Sequence, residues 1–435
     1  MSFTLPSSSA ASPAASAEFG ELLPWGDPNW YRGYRSPYYG PAHAAWRARV
    51  RTFVDQNFPA AAMKEWEAAK RLPPELFRKT AAAGFLPCVV GTWPEEHVGP
   101  RPDGYDHFFE LIFIDELARC GSGGVLWGLV EGLAIGLPPI LQFGSKALAS
   151  RVGKPCLQGE KVICLCISEP YAGSDVAGIR CTAEKDPSGR HYVVNGEKKW
   201  ITNGMFADYF TVAVRTGGKG MGGISMLLLE KGMPGIECKQ MDCMGVWASG
   251  TAYITFEDVK VPVENLIGEE NQGFKCIMHN FNHERWGFIV QANRFARVCM
   301  EDALRFALKR KTFGKTLTEH PVIRWKLAEM ARQVEATHAA LENLTYQLQT
   351  MPHEEATQLA PDICLLKVQA TKVFEYCARE AAQIMGGSSY VRGGQGEKVE
   401  RLYREVRAMA IPGGSEEIML DFAVRNSIKR FQSKL

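Results

Sequence analysis

Residues 165–202 read LCISEPYAGSDVAGIRCTAEKDPSGRHYVVNGEKKWIT, and the reading of this stretch decides the fold. It is polar, glycine-punctuated and strand-like, and it lies between two long helical patterns. Ser168-Glu169-Pro170 followed by Ala172-Gly173-Ser174-Asp175 makes a tight loop of small side chains, with exposed N–H groups and two hydroxyls. Such a loop can wrap a flat polar ring and donate hydrogen bonds to it. Downstream, Lys199-Trp200-Ile201-Thr202 places an aromatic plane and a third hydroxyl on a strand.

Around this stretch, from Val162 to about Asn271, apolar residues recur with a period of two. YVVNGEKKWIT, YFTVAVRT, GISMLLLE and AYITFEDVKVP read as strands separated by turns. Residues 42–161 have helical spacing instead: an amphipathic segment at 43–58, a second at 74–83 closed by Gly84, and a third at 104–120 with Phe109, Ile112, Phe113 and Leu117 as its buried stripe. Residues 123–137 are nearly uncharged, which predicts a helix buried all round. Its lone acid, Glu131, is read as paired or solvated at a helix turn. From Gly273 the pattern is helical again, with helices expected near 273–308, 321–350, 357–386 and 395–408, and a last one from about 415. The expected fold is therefore α+β: an N-terminal helical domain at 42–161, a middle β-barrel-like domain at 162–272 and a C-terminal four-helix bundle at 273–432. Residues 1–41, with SSSAASPAASA and an aromatic, turn-rich stretch, read as a disordered or surface arm.

Composition narrows the function classes. A net charge of +2 provides no broad basic field for a nucleic-acid or membrane partner. No apolar run is read as long enough to span a bilayer. The 12 cysteines are scattered without a CxxC, which favours reduced thiols in an intracellular compartment. The first 31 residues hold no Arg or Lys, which argues against a mitochondrial transit peptide. Ser433-Lys434-Leu435 matches a peroxisomal targeting tripeptide read by an import receptor, so the expected location is the peroxisome.

Two motifs are decoys. Gly218-Lys219-Gly220-Met221-Gly222-Gly223 satisfies GxGxxG, but a strand follows it rather than a helix, so it reads as a hairpin loop. His279 and His283 are four apart beside Glu284, a spacing that can bind zinc, but no third ligand is evident and no metal site is assigned.

The later helical region holds Phe281-Asn282-His283-Glu284-Arg285, then Lys309-Arg310-Lys311-Thr312-Phe313-Gly314-Lys315, then Gln383-Ile384-Met385-Gly386-Gly387. Together with SEPYAGSD and WIT, these ordered motifs resemble the acyl-CoA dehydrogenase family over roughly residues 42–430. The resemblance implies FAD as cofactor, an acyl-CoA substrate, and α,β-desaturation. It implies flavin contacts at Cys166, Ser168, Gly173, Ser174, Trp200, Thr202, Ser415 and Glu417. It implies that Arg310, Thr312, Phe313, Gln383, Gly386 and Gly387 hold the adenosine half of FAD, partly from a neighbouring subunit of a homotetramer or homodimer.

Desaturation needs a shielded carboxylate aimed at the α-carbon, while the β-carbon yields hydride. The family places this Glu at one of two sites. At the commoner one, in a YEGT-like loop, this chain has Pro412-Gly413-Gly414-Ser415, with Gly413 where the acid is expected. The other, used by isovaleryl- and long-chain-type members, falls on Glu284. Glu284 is therefore assigned as base, ahead of Glu416 and Glu417 beside the emptied loop. The Gly413 N–H is expected to hold the thioester oxygen. Ser174, Asn282 and Arg285 are expected at the substrate. Asn282 stands where the family usually has Asp, His320-Pro321 replaces His-Gln, and Gly250 replaces an Asp, which points to an unusual acyl pocket.

Three functions compete: this dehydrogenase, with electron-transfer flavoprotein as acceptor; a same-fold flavin oxidase using O₂, possibly on a non-thioester substrate; and a non-catalytic binding protein that keeps the fold. The chain length matches the dehydrogenase layout, since acyl-CoA oxidases carry an additional C-terminal domain. A peroxisomal address pulls toward O₂.

Overall fold

The computed structural model describes residues 18–433, apart from the side chains of residues 353 and 354. The helical pattern of the first third condenses into α1 (Pro41–Asn57), α2 (Ala60–Ala69), α3 (Pro74–Ala82) and α4 (His107–Ala118). The side chain of Asp106 caps α4 by accepting from Phe108 N at 2.9 Å, which fixes its start three residues later than the sequence pattern alone gives.

The uncharged segment becomes α5 (Gly123–Phe143), mostly buried inside the protein. By length and hydropathy it is apolar enough to cross a membrane, contrary to the sequence expectation. It is a core helix, and a π-turn at Trp127–Glu131 breaks its regularity. Three of its glycines permit close packing. A Cβ on Gly124 would lie 2.9 Å from the Val246 carbonyl carbon, and one on Gly128 2.8 Å from Ala248 O. One on Gly132 would lie 2.5 Å from Ile163 O. These contacts seat α5 directly on the middle domain. α6 (Lys146–Leu157) follows and leads into it.

The middle domain is one eight-stranded sheet. Its strands are β1 (Ile163–Cys166), β2 (Thr182–Lys185), β3 (His191–Ile201), β4 (Tyr209–Arg215), β5 (Ile224–Glu230), β6 (Ile236–Gln240), β7 (Ala252–Pro262) and β8 (Leu266–Ile267). The order is β6-β7-β3-β2-β4-β5-β8, with β1 added parallel to β4. The decoy glycine segment is the β4–β5 connection of an antiparallel pair, as its flanking pattern requires.

The C-terminal third holds α7 (Gly273–Lys309), α8 (Pro321–Thr350), α9 (Ala360–Met385), α10 (Glu397–Ala410) and α11 (Glu416–Gln432). α7 and α9 form the bundle's central pair, and each carries a long row of buried residues.

The N-terminal arm corrects the sequence reading. Residues 1–17 lie outside the described residues, but 18–40 are integrated into the folded body. Trp30 and Tyr31 are buried, and Arg47 lies 3.9 Å over the Phe19 ring and 4.3 Å over Trp30. Asp27 is buried and bonds Arg51 and Arg294, each at 2.9 Å. Burial would raise the Asp27 carboxyl, but the two guanidinium groups win and hold it well below the usual carboxylate range.

Candidate active site

The polar loop that opened the reading is organised from below by a buried ion pair. Glu169 and Lys198 have almost no exposed surface, and their side chains meet at 2.8 Å. Glu169 also accepts from Arg180 N at 2.6 Å and Cys181 N at 3.0 Å, and Lys198 donates to Ile167 O at 2.9 Å. One strand away, Lys199 N donates to Ser168 O at 2.9 Å. SEPYAGSD and WIT are thereby one rigid surface, with all these hydrogen bonds made underneath it. Gly173 and Ser174 are exposed, and Trp200 is half-exposed at φ 62°. Thr202 is partly buried just beyond it.

Cys166 requires a correction. It is fully buried in the sheet core, with its Sγ 3.7 Å from Cys164 Sγ. Its thiol faces away from any ligand on the loop, so only its main chain can touch a cofactor.

Further along the bundle, Arg310, Thr312, Gly386 and Gly387 line one cavity of about 830 Å³ between the end of α7 and the end of α9. Gly386 has φ 55°, and a Cβ at either glycine would meet nothing within 4 Å. A Cβ on Gly173, on the polar loop, would likewise meet nothing within 4 Å. Small residues bordering open volume, with an arginine fork at one end, fit a dinucleotide in both places. Gln383 is exposed on α9 beside the cavity. Phe313 is 97% exposed at φ 50°, with its ring edge-on to His320 at 6.4 Å.

The third cluster surrounds Glu284, which projects from α7 and is partly accessible. Burial pushes its carboxyl up to about 7, partly offset by Arg285, Lys367 and His283. Arg285 Nε donates to Gly413 O at 2.8 Å. Gly413 sits at φ 68° in the turn between α10 and α11, and among the described residues its N–H has no partner. Lys367, fully buried on α9, donates to Ala410 O at 2.9 Å and Gly414 O at 2.8 Å. Asn282 is partly accessible one residue before His283. His283 Nε2 is paired with Glu110 at 2.8 Å, which gives this histidine a partner other than a metal. Burial lowers the His283 pKa, but the Glu110 carboxylate outweighs it and the net shift is upward.

Glu131 is a second correction. It is neither solvated nor ion-paired: it is 5% exposed and accepts from Gln291 Nε2 at 3.1 Å. Burial and the neighbouring Glu284 push it up to about 8, so it is mostly protonated at pH 7. A Cβ on Gly287, between Glu284 and Gln291 on α7, would meet only Gln291 Nε2 at 3.9 Å. The helix face from Glu284 to Gln291 thus borders open space. Of the rival acids, Glu416 lies 3.7 Å from Lys372 and Glu417 is exposed at the start of α11, where main-chain N–H groups lower its pKa. Sequence reasoning missed the roles of Glu169, Lys198 and Lys367, whose partners lie far along the chain.

Three family models match successive parts of the chain: Acyl-CoA dehydrogenase N-terminal domain at residues 40–160, middle domain at 164–259 and C-terminal domain at 271–428. Acyl-CoA dehydrogenase apdG of Emericella nidulans is 41% identical over 424 residues, 95% of this chain and 97% of the relative. The crystal structure of a probable acyl-CoA dehydrogenase from Mycobacterium abscessus superposes with a TM-score of 0.83 at 37% identity, covering 89% of this chain and 99% of that one. A Bacillus anthracis acyl-CoA dehydrogenase complexed with FAD gives 0.82 at 26% identity, covering 92% and 69%. The chain belongs to the acyl-CoA dehydrogenase family and is an oxidoreductase acting on the CH–CH bond of an acyl-CoA.

Proposed function

We propose that the protein catalyses α,β-desaturation of an acyl-CoA thioester, with Glu284 as the base that takes the α-proton. FAD is the cofactor, and when bound it accepts the hydride from the β-carbon. The observation that carries this reading is the hydrogen bond from Arg285, the residue after Glu284, to the Gly413 turn. A carboxylate held near neutrality stands next to a turn whose free N–H suits a thioester oxygen. At pH 7 about half of Glu284 is ionised and ready to take a proton. Arg285 and Asn282 border the substrate entrance, and Ser168, Gly173, Ser174, Trp200 and Thr202 present the flavin surface. Ser415 and Glu417, at the start of α11, complete it.

Arg310, Thr312, Phe313, Gln383, Gly386 and Gly387 take the adenosine half of the cofactor. The full exposure of Phe313 supports a neighbouring subunit there, as do Ile418, Val424, Ile428 and Phe431 along one exposed side of α11. A homotetramer or homodimer follows. The base position is the one that isovaleryl- and long-chain-type members use.

Anaerobic mixing with a panel of acyl-CoA thioesters tests the reading: the bound flavin should bleach with at least one. A flavin that no acyl-CoA bleaches would end it. Peroxide formed in air without an added acceptor would identify O₂ as the electron acceptor in place of electron-transfer flavoprotein. The Ser433-Lys434-Leu435 tripeptide, whose last two residues lie outside the described residues, supports a peroxisomal location through the import receptor. Deleting it should leave the protein in the cytosol, and an unchanged peroxisomal signal would discredit the address.

A further inference from the structure

Lys367 touches both ends of the turn carrying Gly413. Its Nζ bonds Ala410 O before the turn and Gly414 O after it. Arg285 takes the carbonyl in between, at Gly413. Three main-chain carbonyls of one short segment are thus held by two cations, and among the described residues the N–H of Gly413 has no partner. A lysine with no exposed surface is costly to bury, and the cost is offset here by those two carbonyls and by the carboxylate across the gap.

The titratable groups that face it lie on α7, α11 and its own helix. Glu284 and Arg285 face it from α7, Glu416 from α11, and Cys364 from its own helix, and the Phe288 ring lies 5.7 Å from Nζ. Glu284 in turn faces Arg285 and His283 on its own helix, Lys367 on α9 and Glu131 on α5.

We propose that Lys367 is a positioning residue for the desaturation: it holds the Gly413 N–H toward the thioester oxygen and fixes a positive charge beside the carboxylate that takes the α-proton. This rests on the function proposed above. A lysine that only braced the fold would stabilise the turn without affecting the protonation of Glu284.

The pH profile of anaerobic flavin reduction separates the two roles. In the wild-type protein the rate should rise as Glu284 ionises near 7 and fall as Lys367 loses its proton, since burial, partly offset by Glu284, brings that lysine down to about 8. Lys367→Met should lower the rate at pH 7 at least tenfold and move the rising limb to higher pH, because Glu284 loses a cationic neighbour. Lys367→Arg cannot lose its charge in this range, so the falling limb should vanish. Glu131 also titrates near 8, and in Glu131→Gln the falling limb should persist. Lys367→Met with the wild-type rate and limbs would overturn the proposal and leave the proposed function standing. Should that variant not retain FAD, an unchanged falling limb in Lys367→Arg overturns it instead. A wild-type flavin that no acyl-CoA reduces brings down the proposed function, and this proposal with it.

Discussion

Arg285 Nε donates to Gly413 O at 2.8 Å, which makes the residue beside the proposed base and the turn that lacks an acid a single unit. The base helix is thus tied to the turn at the residue next to Glu284. Replacing the acid by its amide keeps the shape and removes only the proton acceptor. Glu284→Gln should retain FAD and lose about a hundredfold or more in the rate of flavin reduction. Reduction within a few-fold of wild type in stopped-flow measurements would remove Glu284 from the mechanism.

An acid returned to the turn should not rescue that loss. Gly413 sits at φ 68°, and a Cβ there would lie 3.2 Å from the ring of Phe288, which is buried. The left-handed backbone costs any other residue about 1 kcal/mol or more, and the ring has little room to give. Glu284→Gln combined with Gly413→Glu should stay as slow as Glu284→Gln alone, or lose stability besides. Recovery to more than about a tenth of the wild-type rate would show that the two base positions interchange freely in this fold.

Glu131 provides a stability test with a defined sign. Its folded pKa, about 8, is above the ordinary value near 4.5, so the folded state binds a proton that the unfolded chain has released between those pH values. Its contribution is most favourable below about 4.5 and is lost as pH rises toward 8. Glu131→Gln keeps an acceptor for Gln291 and needs no proton. The variant should therefore melt higher than wild type at pH 7, by something on the order of 1–3 kcal/mol. The gap should widen from pH 5 to 8 and level off above. A gap that narrows with rising pH would mean the carboxyl is ionised in the fold.

Asp27 behaves in the opposite sense. Its carboxylate neutralises Arg51 and Arg294 in the interior, and its depressed pKa contributes stability above the ordinary carboxylate value that is lost as pH falls. Asp27→Ala leaves two guanidinium groups short of a partner and should cost about 3–5 kcal/mol in denaturant unfolding near neutral pH. The penalty should shrink toward pH 3. A cost under about 1 kcal/mol would show that the arm only rests on the surface.

That arm shows where sequence reading stops. Its aromatic, glycine- and proline-rich composition looks like a loose segment, because nothing local reveals that Arg47, Arg51 and Arg294 converge on it from two helices. The strands of the middle domain were legible wherever alternation was long, as in β3 and β7. The short β1, β2 and β6 were not, since four or five residues hold too few alternations to stand out. Glu284 was singled out because it shares a short motif with Arg285 and because position 413 holds no acid. Glu131 could not be weighed correctly. Whether a lone acid in an apolar helix is solvated depends on what packs against it, and Gln291 and Glu284 lie more than a hundred residues away.

The pair Glu169 and Lys198 was equally invisible, and its position beneath the flavin loop makes it a sensitive test of how that surface is built. Glu169 takes three hydrogen bonds, two from main-chain N–H groups and one from Lys198, and these hold 167–169 against 180–181 and 198. Lys198→Met would strand a buried carboxylate, a defect worth about 3–5 kcal/mol. The loop should loosen before the sheet does, so FAD retention on gel filtration should fall along with the melting temperature. Adding Glu169→Gln removes the stranded charge while keeping an acceptor for one N–H. The double variant should therefore be more stable than Lys198→Met alone and hold FAD better. If the two substitutions simply add, the pair is not coupled and the flavin surface must draw its rigidity from elsewhere.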